Sequence, residues 1–139
     1  MINKKRLIKL TQKLIQINSE NPPGDEAKIA RFVKAYLESL GLRTRIYEFK
    51  KNRSNVVAVL KRKKKYSLLI TAHLDTVPCG KNWHFAPFSG KIYWNKIYGL
   101  GATDCKGNLG CSLEAINSII EDNVVLDYNL ILAATADEE

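Results

Sequence analysis

Apolar positions over the first forty residues recur at helical spacing. Leu7, Leu10, Leu14 and Ile17 share one face, with Lys and Gln between them, which predicts a helix of about four turns. It must end before Asn18-Ser19-Glu20-Asn21-Pro22-Pro23-Gly24, where two prolines forbid helix and the glycine permits a tight reversal. Ile29, Phe32, Val33, Tyr36, Leu37 and Leu40 then predict a second helix, with Gly41 just past its end as a C′ residue. Asp25 and Glu26 at its start suit the positive end of the helix dipole. From there the period changes from 3.6 to 2. Thr44–Phe49 alternates as a strand, Asn55–Leu60 is β-branched and apolar, and Leu68–Ala72 is a short apolar run that reads as a buried strand. These three strands are expected to share a sheet. Ile92-Tyr93-Trp94 and Lys96-Ile97-Tyr98 flank Asn95 as a small hairpin. Leu109, Leu113, Ile116 and Ile120 predict a third helix running to about Asp122, and Tyr128–Ala134 a further buried strand. No repeat and no low-complexity tract interrupts this order.

Composition narrows the partners. The 139 residues are 45% apolar, enough for one compact domain with a real core. Lys and Arg number 22 against 14 Asp and Glu, a net charge of +8, so nucleic acid or anionic lipid has to be considered. The excess is concentrated in Lys61-Arg62-Lys63-Lys64-Lys65 and Lys50-Lys51-Asn52-Arg53, both at expected turns. No aromatic rings interleave these charges as single-strand binders require, so they read as solvated hairpin tips and no nucleic-acid partner is expected. The cysteines, Cys79, Cys105 and Cys111, are odd in number, and Met1–Arg6 leads into an amphipathic pattern rather than an apolar signal core. No stretch is apolar for long enough to span a bilayer, so the expectation is a reducing cytoplasm and no membrane.

Chemistry-bearing residues gather at the ends of these elements. The Leu68–Ala72 run stops at His73, and Asp75 follows at the two-residue spacing that places side chains on one face of a strand. A metal-binding imidazole usually gives its other ring N–H to a carboxylate, and Asp75 is placed to be that carboxylate. Taken alone, the pair also fits a histidine satisfied at a strand end. Asp104 lies in a Gly-rich turn, Gly99–Gly107, which lacks the spacing of a phosphate loop or a dinucleotide fingerprint. Glu138 and Glu139 follow the last strand. Each has a plainer reading, as a turn residue or a solvated acid. Together, one histidine and several carboxylates at strand ends are what a hydrolytic di-metal site needs: a bridging carboxylate, a terminal ligand for each ion, and an unliganded carboxylate to take a proton.

Five segments in this order resemble a known family: Ser19–Gly24 (S-x-N-P-P-G), Thr71–Pro78 (T-A-H-L-D-T-V-P), Trp83–Phe88 (W-x-x-x-P-F), Tyr98–Gly107 (Y-G-L-G-A-T-D-C-K-G) and Ala136–Glu139 (A-D-E-E). The set resembles the catalytic domain of the M20 family of co-catalytic zinc amidohydrolases and peptidases, and it covers essentially the whole chain. The resemblance implies an α/β fold, a three-layer α/β/α zinc-exopeptidase-like catalytic domain with a mixed central sheet, of which residues 1–139 form a truncated N-terminal portion. It implies His73 as ligand of one zinc, Asp75 as its orienting partner, Asp104 as the bridging ligand, Glu138 as general base and Glu139 as ligand of the second zinc. It also implies a cis peptide at Asp104-Cys105. Two Zn2+ ions are expected, with Co2+ able to substitute, and the substrate would be a small N-acyl amino acid or a short peptide. The reading is an amidohydrolase of deacetylase or desuccinylase type; the alternatives are an exopeptidase of the same family and a non-catalytic basic binding module. Two positions depart from the family pattern, Leu100 where Arg is usual and Cys105 where Met is usual. Relatives continue past the equivalent of Glu139 with a further acidic ligand, a lid or dimerisation domain that allows a homodimer, and a distant histidine. The 139 residues by themselves are therefore expected to bind zinc weakly and to hydrolyse nothing, and one strand is expected to be left as an exposed edge.

Overall fold

A computed structural model describes residues 1–139 throughout. Helix α1 spans Lys4–Gln16, opened by Asn3, whose side-chain oxygen accepts from the Arg6 amide, and closed where Ile17 turns extended. Helix α2 spans Ala27–Ser39 and ends at Leu40, beyond which Gly41 takes the left-handed φ of 81° of a C′ glycine. Strands β1 (Arg43–Lys50) and β2 (Arg53–Leu60) form an antiparallel hairpin, β3 spans Ser67–His73, and β4 (Lys91–Tyr93) with β5 (Lys96–Tyr98) make a two-stranded ribbon. Trp94 and Asn95 both hold positive φ, the hairpin turn that matches strand twist. Helix α3 (Lys106–Glu121) and strand β6 (Asn129–Thr135) complete the chain.

The main sheet has the order β1-β2-β6-β3. Strand β6 lies antiparallel to β2 and parallel to β3, so the last strand is inserted between two that precede it. The Lys61–Lys65 run therefore passes across the start of β6 and is not a hairpin tip. The α/β class and mixed sheet agree with expectation.

A single apolar core lies on one side of that sheet. Leu10 and Leu14 of α1, Ile29, Val33 and Leu37 of α2, and Leu109, Leu113 and Ile116 of α3 pack on Val56, Ala58, Leu130, Leu132, Ala134 and Ala72. All three helices thus form one layer. The opposite face carries Val59 and Leu69, both exposed, with Val57, Ile131 and Ala133 half-buried beside them. No helix of these residues covers it. Strand β3 was expected to be buried; instead Leu68 and Leu69 are exposed, because β3 is the edge of the sheet and only its last two residues, Ala72 and His73, lie under neighbours. Burial at that end is what the site requires: β3 and β6 run parallel, so both deliver their C-terminal ends, His73 and Thr135, to one place.

Candidate metal centre

The Ser19–Gly24 segment braces the turn that follows β3. Thr76 N–H donates to the Ser19 carbonyl (3.1 Å), Asn21 N–H to the Thr76 carbonyl (2.7 Å), and Ser19 Oγ to the Leu74 carbonyl (2.7 Å). Leu74 N–H donates across to the Thr135 carbonyl (2.7 Å). His73 and Asp75 therefore sit on a backbone held from both sides. The peptides Asn21-Pro22, Pro22-Pro23 and Asp104-Cys105 are cis.

His73 is the point on which the other groups converge. Its Nε2 lies 2.8 Å from Asp104 Oδ1 and 3.9 Å from Glu138 Oε2. One ligand atom each from His73, Glu138 and Glu139 fall within 4.8 Å of one another, as do those of His73, Asp104 and Cys105. Burial by itself would lower the histidine's pKa, but the Asp104 hydrogen bond, the Asp75 carbonyl and the charges of Glu138 and Asp104 outweigh it and raise the value. The carboxylates of Asp104 and Glu138 are solvent-exposed, whereas that of Asp75 is fully buried.

Asp75 does two things. His73 Nδ1 is 3.1 Å from the Asp75 main-chain carbonyl and 3.7 Å from its Oδ1, so the closer orienting contact is the carbonyl. Oδ2 accepts from the main-chain N–H groups of Glu138 (3.0 Å) and Glu139 (3.1 Å) and from Asn21 Nδ2 (3.1 Å). Oδ1 is buried with no hydrogen-bond partner. The bare Oδ1 faces the Nδ1 edge of the His73 ring, while Asp104 and Glu138 gather at Nε2 on its other side. One imidazole nitrogen and several carboxylate oxygens within reach of one another fit a divalent metal ion.

Several further residues shape this site. Cys105 is buried behind it; its sulfur accepts from His73 N–H (3.1 Å), and burial pushes the thiol's pKa up. Lys106, fully buried, donates from Nζ to the Ile17 carbonyl (2.7 Å), tying the Asp104 turn to the chain leaving α1; desolvation brings its pKa down to about 8 against the pull of Glu20. Asn55 Oδ1 accepts from Ala136 N–H (2.8 Å). Arg53 was expected in a solvated turn, but its side chain is buried and bonds Glu26 and Asp137. Glu26, expected to serve the α2 dipole, makes no capping bond and answers Arg53 instead. Asn21 was visible in sequence only as part of the proline-rich motif and Lys106 only as part of the Tyr98–Gly107 motif; nothing local marks Arg53 or Asn55.

An open cleft of about 370 Å³ runs from Asp104 and Glu139 along Gly99–Thr103 to Thr76 and Val77. A groove of about 420 Å³ between α1 and Tyr36 is lined by Lys5, Arg6, Lys9 and Lys13 among others and has no comparable donor set. The rings of the Trp83–Phe88 loop do not line the cleft; Phe85 packs on Tyr93 and Tyr98 of the β4–β5 ribbon, at centroid distances of 5.6 and 5.1 Å.

Residues 69–139 match the family model described as peptidase family M20/M25/M40. The chain belongs to this family. An M20 relative, the succinyl-diaminopimelate desuccinylase of Blochmanniella floridana, is 36% identical over 138 residues, covering 96% of this chain and 35% of that protein. The N-formyl-4-amino-5-aminomethyl-2-methylpyrimidine deformylase of Halalkalibacterium halodurans is 31% identical over 143 residues, covering 99% of this chain and 34% of that protein. Among solved structures, an M20 family metallo-carboxypeptidase from Sulfolobus solfataricus superimposes with a TM-score of 0.85 at 28% identity, over 93% of this chain and 30% of that one. This M20 chain thus spans about a third of the length of the curated relatives it matches. None of its helices is long and apolar enough to cross a membrane.

Proposed function

We propose that this chain carries the nucleophile-generating half of a dinuclear zinc centre in an amidohydrolase that cleaves the amide of a small N-acyl amino acid. The observation that supports it is the convergence of Asp104, Glu138 and Glu139 on His73, with Asp104 and Glu138 at its Nε2. His73 would hold one ion, Glu139 the other, and the exposed carboxylate of Asp104 would be shared between them. Bound there, such ions polarise an amide carbonyl and lower the pKa of water toward neutrality. Glu138 is the base: it takes the water proton and returns it to the departing amine nitrogen. Asp75 keeps the His73 ring oriented and binds the amides of both glutamates, so it sets ligand and base in one frame. The acyl-substrate preference draws on the desuccinylase and deformylase relatives; the carboxypeptidase likeness favours a peptide as the competing substrate.

The test uses a version extended to the length of the relatives. Glu138→Gln is expected to keep its zinc while losing turnover of N-succinyl, N-acetyl or N-formyl amino acids by about two to four orders of magnitude. Retained turnover rejects the base assignment. Faster cleavage of dipeptides than of every acyl amino acid rejects the substrate class.

A further inference from the structure

Two adjacent glutamates on a strand would point to opposite faces, yet Glu138 and Glu139 both bring a carboxylate oxygen to His73. The chain accomplishes this just after β6, where Asp137 adopts the left-handed region with φ of 68°. A non-glycine residue there is strained, though Asp tolerates it better than most. Something must hold it. The Asp137 carboxylate is bonded by Arg53 Nη2 and accepts from Asn21 Nδ2 at 3.2 Å, and the two hydrogen bonds hold its pKa below the usual carboxylate range. Asn21 Nδ2 also reaches the Glu139 carbonyl (3.0 Å).

Arg53 can do this because it is buried at the start of β2 with a second partner. Its Nε lies 3.1 and 2.8 Å from the two oxygens of the fully buried Glu26. The guanidinium occupies space left open by Gly24, where an added Cβ would come within 2.3 Å of Arg53 Cζ and φ is 77°. The glycine of the proline-rich motif thus makes room for the arginine, while the asparagine of the same motif shares its target.

We infer that Arg53 is a positioning residue, acting through Asp137 to turn Glu138 and Glu139 toward His73, with Glu26 as its buried counter-charge and Gly24 as its seat. Arg53 touches neither the cleft nor any proposed ligand, and it lies outside the segment matched to the family model. The inference rests on the zinc-centre reading. It concerns metal affinity and amide protection, so it stands apart from turnover.

Asp137→Gly removes the anchor but permits the same backbone conformation. Arg53→Met combined with Glu26→Gln removes the pair without leaving a buried charge alone, which keeps the chain folded. Asp137→Asn keeps an oxygen that can accept from Arg53 and Asn21. On the 139-residue chain, zinc titration is expected to give a loss of affinity of about 10- to 100-fold for Asp137→Gly and for the double variant, with the thermal midpoint of Asp137→Gly preserved. Asp137→Asn is expected to stay within about threefold of the parent, since its acceptor survives. In the metal-free chain, amide exchange at Glu138 and Glu139 rises in the first two variants and not in Asp137→Asn. Unchanged zinc affinity and unchanged exchange in both Asp137→Gly and the double variant would overturn the inference. His73→Ala separates the two readings: if it leaves zinc binding intact, the zinc-centre reading fails, and if it alone abolishes binding, only the positioning role fails.

Discussion

Gly107→Ala is a one-atom test of how the Asp104 turn is held against α3. In an exposed helix interior, Gly to Ala stabilises by about 1 kcal/mol through backbone entropy and helix propensity. Here the added Cβ would lie 2.3 Å from the Ala102 carbonyl oxygen, where ordinary contact begins at 3.4 Å. The obstacle is main chain and cannot rotate away. The turn must move by about 1 Å, the difference between those distances, and overpacking of this kind costs about 1–3 kcal/mol. The clash therefore offsets or outweighs the propensity gain, for a net loss of about 0–2 kcal/mol. The displaced turn carries Asp104, two residues on. If Asp104 moves with it, its 2.8 Å contact with His73 Nε2 opens beyond hydrogen-bonding range. Urea unfolding reads the stability, and the His73 pKa, followed by NMR in the metal-free chain, reads the contact. That pKa should fall toward its ordinary value. Asn108→Ala, one position further along the exposed side of α3, serves as control and should leave the His73 pKa unchanged. A Gly107→Ala variant that gains stability and keeps the parent's His73 pKa would refute the reasoning.

Two further outcomes follow from the same geometry. Because the folded-state pKa of His73 is raised, its contribution to stability is fully present below the unfolded value near 6.5 and is lost as pH rises through the folded value; urea midpoints of the metal-free chain should fall across that window, and His73→Gln should remove the dependence. Asp104→Ala, in a version extended to the length of the relatives, should lose both metal ions together by elemental analysis, whereas loss of one ion alone would make Asp104 a terminal ligand.

The sequence alone determined the elements and the candidate site residues. Period 3.6 placed α1, α2 and α3, alternation placed β1, short apolar runs placed β2 and β6, and Asn95 marked the ribbon turn, because the apolar pattern reports directly which face of a segment is buried. His73, Asp75, Asp104, Glu138 and Glu139 were legible because strand ends and glycine-rich turns carry reactive side chains into loops. Periodicity does not say which neighbour a face meets. Only the tertiary structure decided that β6 enters between β2 and β3, and that insertion alone brings the Asp-Glu-Glu turn beside His73. It also decided that Leu69 faces outward on an edge strand while Arg53, one of a run of basic residues, is buried. A charged side chain's burial depends on partners distant in the chain, here Glu26 and Asp137 at separations of 27 and 84 residues, and no local pattern records them.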